Sequence, residues 1–451
     1  MSRLFGTDGV RGIANQDLTP DLVYKIGWAG AEVLGKQNSH KPVFIVGRDT
    51  RISGTMLESA LVAGITSAGA DVYLAGVIPT PGVAYLTRLH GCDAGVVISA
   101  SHNSYEHNGI KFFSKDGYKL SDEIEDRIEE LVVSYSQARK IWPTGDEIGH
   151  VYQMSQAATE YTQHLLESMR VDLSGMKIAI DCANGASCYI APDLFLDLGA
   201  EVIAIGIEPD GININRGCGS TDLTKLQQVV QAENCHLGLA FDGDADRMLA
   251  VDSQGRIADG DVIMAIIAHD MKKAGTLVKD TLVATVMSNL GLMNMGVDNG
   301  IKIVCTQVGD RYVLEEMLRS GYILGGEQSG HMIILEHTTT GDGMLSALRL
   351  LQALRNSGQD LTEAREIMKI LPQVLVNVQV AADSKKKSLQ DQDILKVIKR
   401  IEDQLSDKGR IFVRASGTEA KIRVMVEGEH LEDIRQKAEE VAELVRNKYG
   451  V

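Results

Sequence analysis

Three carboxylates at alternate positions, Asp242, Asp244 and Asp246 in the segment DGDADR, follow a short aliphatic run, LGLAF. A tight turn can aim three such oxygens at one point, a donor set suited to a hard divalent cation such as Mg2+. An EF-hand loop would need glycine at its sixth position and glutamate at its twelfth. Arg247 and Ser253 stand there instead, and the flank reads as a strand. Arg247, next to the carboxylates, is placed to neutralise charge on a transferring phosphoryl group.

Three further loops carry chemistry. SASHNS presents Ser99, Ser101, His102 and Asn103 after another aliphatic run, with Asn108, Gly109 and Lys111 close behind. A serine there can act as a nucleophile or phosphate carrier, and Lys111 can stabilise charge or manage a proton. The Gly-x-Ser-x-Gly elbow of hydrolases is missing. RASGTEAKIR combines Arg414, Ser416, Gly417, Thr418 and Arg423. Backbone amides around glycine, two hydroxyls and guanidinium forks suit a phosphate, and the lack of a Gly-Lys-Ser/Thr opening a helix argues against a Walker loop. GEQSGH offers Glu327 and Ser329 for vicinal sugar hydroxyls and His331 for a proton or a phosphate.

These loops need elements to hold them. Lys41–Val46, Asp71–Ala75 and Ala94–Ile98 read as strands separated by helical patterns, and the alternation restarts at Lys177, Glu201 and Leu237 and again at Thr281, Lys302 and Tyr322. Continuous Val/Ile-rich runs between helices suit a buried, mostly parallel sheet, whose ligands gather at the carboxyl ends of strands. Each series ends alike, with a polar loop running into a hairpin-like segment. Three related α/β units are therefore expected, with 141 residues from Ser101 to Asp242 and 85 from Asp242 to Glu327. The surplus in the first interval falls in the polar stretch from Ser121 to Arg170, read here as a long helical linker. After Leu371-Pro372 an alternating strand, a helix, a strand–loop–strand and a Glu-rich helix predict a smaller α+β domain.

Composition narrows the function classes. With 45 basic and 61 acidic residues the net charge is −16, which excludes a dedicated binder of nucleic acid or anionic membranes but leaves room for a local basic cleft. Length alone suggests about three domains. The 45 glycines against 8 prolines fit an enzyme with many loop turns, and six cysteines without a Cys-x-x-Cys pair read as reduced thiols. No basic-then-apolar leader and no long apolar run are visible, so a soluble, cytoplasmic protein is expected.

The four loops, in this order, resemble those of the α-D-phosphohexomutase superfamily along essentially the whole chain. FGTDGVRG, GRDTRISG, VGDRY and the Gln of GEQSGH look most like its bacterial branch that interconverts glucosamine 6-phosphate and glucosamine 1-phosphate on the route to UDP-N-acetylglucosamine. The resemblance implies three similar α/β domains with mixed, mostly parallel sheets plus a smaller α+β C-terminal domain around a central cleft, divided at 1–152, 153–254, 255–368 and 369–451. It implies a phosphoserine at Ser101, and Mg2+ held by Asp242, Asp244, Asp246 and an oxygen of the Ser101 phosphate. Arg11, Lys111, Arg247 and His331 would line the transfer site. Glu327 and Ser329 would hold the sugar, and Arg414, Ser416, Gly417, Thr418 and Arg423 the phosphate not being transferred. A sugar 1,6-bisphosphate would be intermediate and activator, the partner a small sugar phosphate, and a homodimer is a common state of similar enzymes. Alternatives are a phosphomannomutase or phosphoglucomutase, a Mg2+-dependent sugar phosphatase and a non-catalytic sugar-phosphate sensor. Ser104, His107, Ala415 and Ala420 depart from the usual pattern without removing a ligand.

Overall fold

The computed structural model describes residues 3–6, 8–35, 40–136, 142–381, 384–416 and 420–450. Its strands form four sheets of six, five, four and three members. By compactness the chain divides into two units, Met1–Met287 with Ile301–Ile367, and Ser288–Gly300 with Met368–Val451.

The first sheet holds β1 (Val10–Ile13), β2 (Val43–Arg48), β3 (Asp71–Val77), β4 (Ala94–Ile98), β5 (His107–Ser114) and β6 (Val151–Gln153), in the order β1-β5-β4-β2-β3-β6. The second holds β7 (Lys177–Asp181), β8 (Glu201–Ile205), β9 (Leu237–Phe241), β10 (Met248–Asp252) and β11 (Ile257–Ala258), in the order β11-β10-β9-β7-β8. The third holds β12 (Thr281–Thr285), β13 (Lys302–Thr306), β14 (Leu324–Gly326) and β15 (Met332–Ile334), in the order β13-β12-β14-β15.

One plan repeats. A parallel set (β3-β2-β4, β8-β7-β9, β13-β12-β14) ends in a strand whose polar loop leads to an antiparallel return, β4 to β5, β9 to β10 and β14 to β15. The central strands AGVVI, LGLAF and TLVAT are buried at every position, because helices cover both faces and no solvent face exists to be polar. The expected mixed, mostly parallel architecture is thus present in the three sheets taken together, and the parallel set with an antiparallel return occurs three times. The polar residues cluster at these strand ends because the return strand reverses the chain there.

The stretch from Ser121 to Arg170 departs from the expected long helical linker. It contains two separate helices, Asp122–Val133 and Ala157–Ser168, and between them β6, which extends the first sheet beside β3. Pro143, Gly145 and Gly149 explain the break: proline lacks the helical donor and Gly145 has φ 61°.

In the second unit β16 (Gln373–Gln379), β17 (Gly409–Ala415) and β18 (Lys421–Gly428) form an antiparallel sheet in the order β16-β18-β17. One face packs on helices Gln392–Leu405 and Leu431–Tyr449 through Val378, Ile394, Ile401, Ile422, Val424, Ile434 and Val441. Helix Leu290–Asn299, the crossover between β12 and β13, belongs with this unit: the Leu290 amide donates to Glu427 Oε1 at 3.0 Å and Asn289 Nδ2 to the Leu371 carbonyl at 3.0 Å. Among the described residues no helix is long and apolar enough to cross a membrane. Cys92, Cys182, Cys188, Cys218 and Cys235 are buried free thiols.

Candidate active site

The loop after β4 turns sharply at Ser101, whose φ of 51° puts a non-glycine residue in the left-handed region, a locally unfavourable geometry that surrounding bonds must hold. Its backbone N–H donates to Ser99 Oγ at 2.9 Å, and its own Oγ donates to Asp242 Oδ2 at 2.6 Å. The loop after β9 supplies Asp242, Asp244 and Asp246, all buried, each offering one oxygen within 4.8 Å of the others. Ala245 between them has φ 55°, which tightens the turn. Gly243 is required there, since a Cβ would lie 2.6 Å from the Ser101 carbonyl oxygen.

Charge around the triad is not balanced by hydrogen bonds alone. Asp244 Oδ2 accepts from Lys111 Nζ at 2.8 Å and from Thr80 Oγ1 at 2.7 Å, yet Asp244 Oδ1 and Asp246 Oδ1 are buried without a hydrogen-bond partner. Burial and the neighbouring charges of Asp246 and Asp244 push the Asp242 carboxyl well above the ordinary carboxylate range. Burial acts on Asp244 too, but the Lys111 ammonium outweighs it and holds that carboxyl below the usual range. Lys111 is likewise buried, and Asp244, Asp8 and Asp246 overcome that burial and raise its pKa. Converging hard oxygens, two of them orphaned, fit a divalent cation.

Arg247 Nη1 donates to His102 Nδ1 at 2.9 Å, while its buried Nε has no hydrogen-bond partner and lies 3.8 Å from Asp246 Oδ1. Burial, with Arg247 and Arg11 nearby, pulls the His102 pKa down to about 4, so its ring is neutral and its Nδ1 accepts. A β-bridge joins Arg247 to His331, and the Met248 amide donates to the Gly330 carbonyl at 3.1 Å, so the loops after β9 and β14 are fastened together. Both ring nitrogens of His331 lack hydrogen-bond partners; Nε2 is 3.6 Å from Asp310 Oδ2 and 3.9 Å from Asp246 Oδ2. Gly341 is flat against that ring, where a Cβ would come within 2.4 Å of Nε2. Glu327 Oε1 accepts from the Gly309 amide at 3.0 Å, and Ser329 is exposed at the tip of the same loop.

Arg11, on β1 opposite Gly109 of β5, pairs with Asp8. Asp8 also takes Lys119 at 2.5 Å and Lys111 at 3.0 Å, and Lys119 continues to Asp310 at the start of helix Asp310–Ser320. Burial would raise the Asp8 carboxyl, but the charges of Lys111, Lys119 and Arg11 hold it well below the usual range. Reasoning from the sequence had not singled out Asp8, Lys119, Asp310 or Thr80. Asp8 and Asp310 do stand in the quoted segments FGTDGVRG and VGDRY, but their shared partner Lys119 lies 111 and 191 residues away.

The first unit thus brings Ser101, Lys111, Arg11, Asp242, Asp244, Asp246, Arg247, Glu327, Ser329 and His331 to the ends of its three sheets. In the second unit Arg414 and Arg423 are direct cross-strand partners. Burial and the charge of Arg423 lower the Arg414 pKa, the signature of two cations facing each other. Ser416 is buried; its amide donates to the Lys421 carbonyl at 2.8 Å and its carbonyl accepts from Lys385 Nζ at 2.7 Å. Gly417 and Thr418 lie outside the described residues.

Four consecutive matches cover nearly the whole chain: the phosphoglucomutase/phosphomannomutase alpha/beta/alpha domains I, II and III at residues 2–139, 159–255 and 259–371, and the C-terminal domain at 375–444. The chain is 53% identical over 450 residues to a phosphoglucosamine mutase of Acetivibrio thermocellus, covering 100% of both chains. In fold it is similar to a phosphoglucomutase/phosphomannomutase family protein from Burkholderia thailandensis, with a TM-score of 0.83 at 21% identity over 99% of this chain and 98% of that one. It is also similar to Aspergillus fumigatus N-acetylphosphoglucosamine mutase in complex with GlcNAc-6P and magnesium, with a TM-score of 0.71 at 18% identity over 98% and 95%.

Proposed function

The chain belongs to the phosphoglucomutase/phosphomannomutase family, and from that premise we propose that it is a phosphoglucosamine mutase, interconverting glucosamine 6-phosphate and glucosamine 1-phosphate for UDP-N-acetylglucosamine synthesis. The reaction rests on one observation above all, Ser101 Oγ within 2.6 Å of Asp242 in a buried cluster of three carboxylates. The choice of sugar rests on the full-length identity to curated phosphoglucosamine mutases.

Ser101 carries the phosphoryl group. Its Oγ–P bond breaks as a bond to the free sugar hydroxyl oxygen forms; that hydroxyl gives up its proton, the seryl oxygen takes one up, and the products are the 1,6-bisphosphate and free Ser101. That intermediate turns round, and its other phosphoryl group returns to Ser101. Asp242, Asp244 and Asp246, with a phosphate oxygen on Ser101, would hold Mg2+, which when bound offsets charge on the transferring oxygens. Lys111, Arg11 and Arg247 line the same place with fixed positive charge, already anchored to Asp244, Asp8 and His102. Anchored charges need no reorganisation when the phosphoryl group moves, which is why they stabilise the transition state more than water can. His331, buried and with no hydrogen bond at either ring nitrogen, is available to the sugar or its phosphate. Glu327 and Ser329 take sugar hydroxyls, while Arg414, Ser416, Gly417, Thr418 and Arg423 take the phosphate not being transferred.

Intact-protein mass should show an increment of one phosphoryl group mapping to Ser101, and Ser101→Ala should abolish both it and turnover. A Ser101→Ala protein with near-normal mutase activity would refute the assignment. Comparing kcat/KM for glucosamine, glucose and mannose 6-phosphates decides the sugar; a preference for either neutral hexose would move the chain to a phosphoglucomutase or phosphomannomutase.

A further inference from the structure

The segment GRDTRISG is absorbed by none of the roles above, although its Arg51 is one of the most deeply buried charges in the molecule, 1% exposed. All five of its guanidinium N–H donors are engaged: Nε on Asp49 Oδ2 at 2.8 Å, Nη2 on the carbonyls of Ser101 and Asn103 at 2.8 Å each, and Nη1 on the carbonyls of His107, at 3.1 Å, and Ser104. Four of the five go to the backbone of one loop, the Ser101 loop. Asp49 Oδ2 in turn accepts from Ser99 Oγ at 2.7 Å, the same hydroxyl that receives the Ser101 amide.

From the other side comes Asn215, in the long loop after β8. Its Nδ2 donates to the Ser101 carbonyl at 2.9 Å and to the Asn103 carbonyl at 3.0 Å. The two carbonyls therefore each receive both Arg51 and Asn215, which uses both lone pairs of each oxygen. Asn215 has φ 57°, and its own amide is tied to the Ala183 carbonyl at 2.9 Å, so its side chain is aimed by a left-handed turn.

We propose that Arg51 and Asn215 are positioning residues for phosphoryl transfer, a two-sided clamp on the Ser101 and Asn103 carbonyls that keeps Ser101 in its strained turn with Oγ facing the carboxylate triad. The clamp has a second effect. A phosphoserine dianion repels carbonyl oxygens, and a loop free to relax would swing both its carbonyls and its Oγ; saturating the carbonyl lone pairs with donors behind the loop removes that route. Arg51 comes from the loop after β2 and Asn215 from the second sheet's domain, so the geometry of the phosphate carrier depends on the contact between them, where the Ile52 amide also donates to the Gly211 carbonyl at 2.9 Å. This rests on the reading of Ser101 as the phosphate carrier.

Asn215→Gly and Asn215→Asp test the clamp, since both residues tolerate the left-handed backbone while one deletes the donor and the other sets a carboxylate against two carbonyls. Asn215→Gly is expected to lower kcat about tenfold and Asn215→Asp about a hundredfold, with KM for the sugar phosphate within about twofold, because misplacing the reacting atom costs rate rather than substrate binding. The 31P resonance of the phosphoserine should shift or broaden in both, and Arg51→Lys, which keeps charge but not the fork, should resemble Asn215→Gly. Wild-type kcat and an unchanged 31P signal in Asn215→Gly would overturn the clamp, as would a loss confined to KM. Ser101→Ala run beside them separates the two claims: if it turns over, the carrier reading fails; if it is inert while Asn215→Gly is fully active, only the clamp fails.

Discussion

The Ser101 centre and the β17–β18 hairpin both handle phosphate on the proposed reading, yet they are built on opposite electrostatic plans. Around Ser101 the cations lie in contact with carboxylates: Lys111 on Asp244 and Asp8, Lys119 across Asp8 and Asp310, Arg51 on Asp49. In the hairpin, Arg414 and Arg423 stand side by side, and burial together with that repulsion weakens the hold of Arg414 on its proton. Cations held on carboxylates keep their geometry whatever is bound, whereas two like charges side by side add their pull on an anion. On the proposed reading, reaction geometry belongs to the first region and phosphate affinity to the second.

Four substitutions sharpen or break that division. Asp244→Ala removes a carboxylate of the triad and the partner of Lys111, and should cost about a thousandfold in kcat, the scale of losing a fixed electrostatic stabiliser; retention of rate at saturating Mg2+ would remove Asp244 from the chemistry. Lys119→Met leaves Asp8 and Asp310 facing each other in a mostly buried site and should destabilise the fold by about 3 kcal/mol in denaturant titration. The double variant with Asp310→Asn should recover part of this loss, and simple additivity would show that the bridge is not a coupled unit. Arg423→Ala removes one charge-assisted grip and should lower kcat/KM about 10- to 100-fold, mostly through KM. A fall in kcat at unchanged KM would contradict the contrast drawn between the two regions.

The smallest effect concerns Asp342, which caps helix Gly343–Ser357 through the Leu345 amide at 2.9 Å and accepts from Tyr161 Oη at 2.7 Å. Burial pushes its carboxyl up to about 6, above the unfolded value of about 3.9. A raised carboxyl favours the folded state while protonated, so this contribution is complete below about pH 4 and lost as pH rises through about 6. Asp342→Asn should therefore gain on the wild type by about 2 kcal/mol in unfolding free energy between pH 4 and pH 7. A pH-independent difference between the two proteins would mean that Asp342 is ionised throughout.

Legibility followed range. The strands Ala94–Ile98 and Leu237–Phe241 were readable to the residue because a fully buried strand is an uninterrupted apolar run bounded by polar turns. The three acidic residues were readable because one loop contains them. The stretch from Ser121 to Arg170 was misread because its helical ends carry a clear pattern, while β6, with three exposed residues, takes its identity from hydrogen bonds to β3 rather than from its own side chains. Asp8, Lys119 and Asp310 each look like surface charges in sequence and meet only through the fold.

The sequence by itself determined the repeated α/β plan, the small C-terminal sheet and the four chemical loops, since periodicity, turn residues and short motifs act within a dozen or so residues. Only the tertiary structure decided which charges neutralise one another and which carbonyls are clamped. Ser101 meets Asp242 across 141 residues, and the same Ser101 loop meets Asn215 across 114 and Arg51 across 50. Such pairings depend on where three sheets end in space, and no local pattern encodes that.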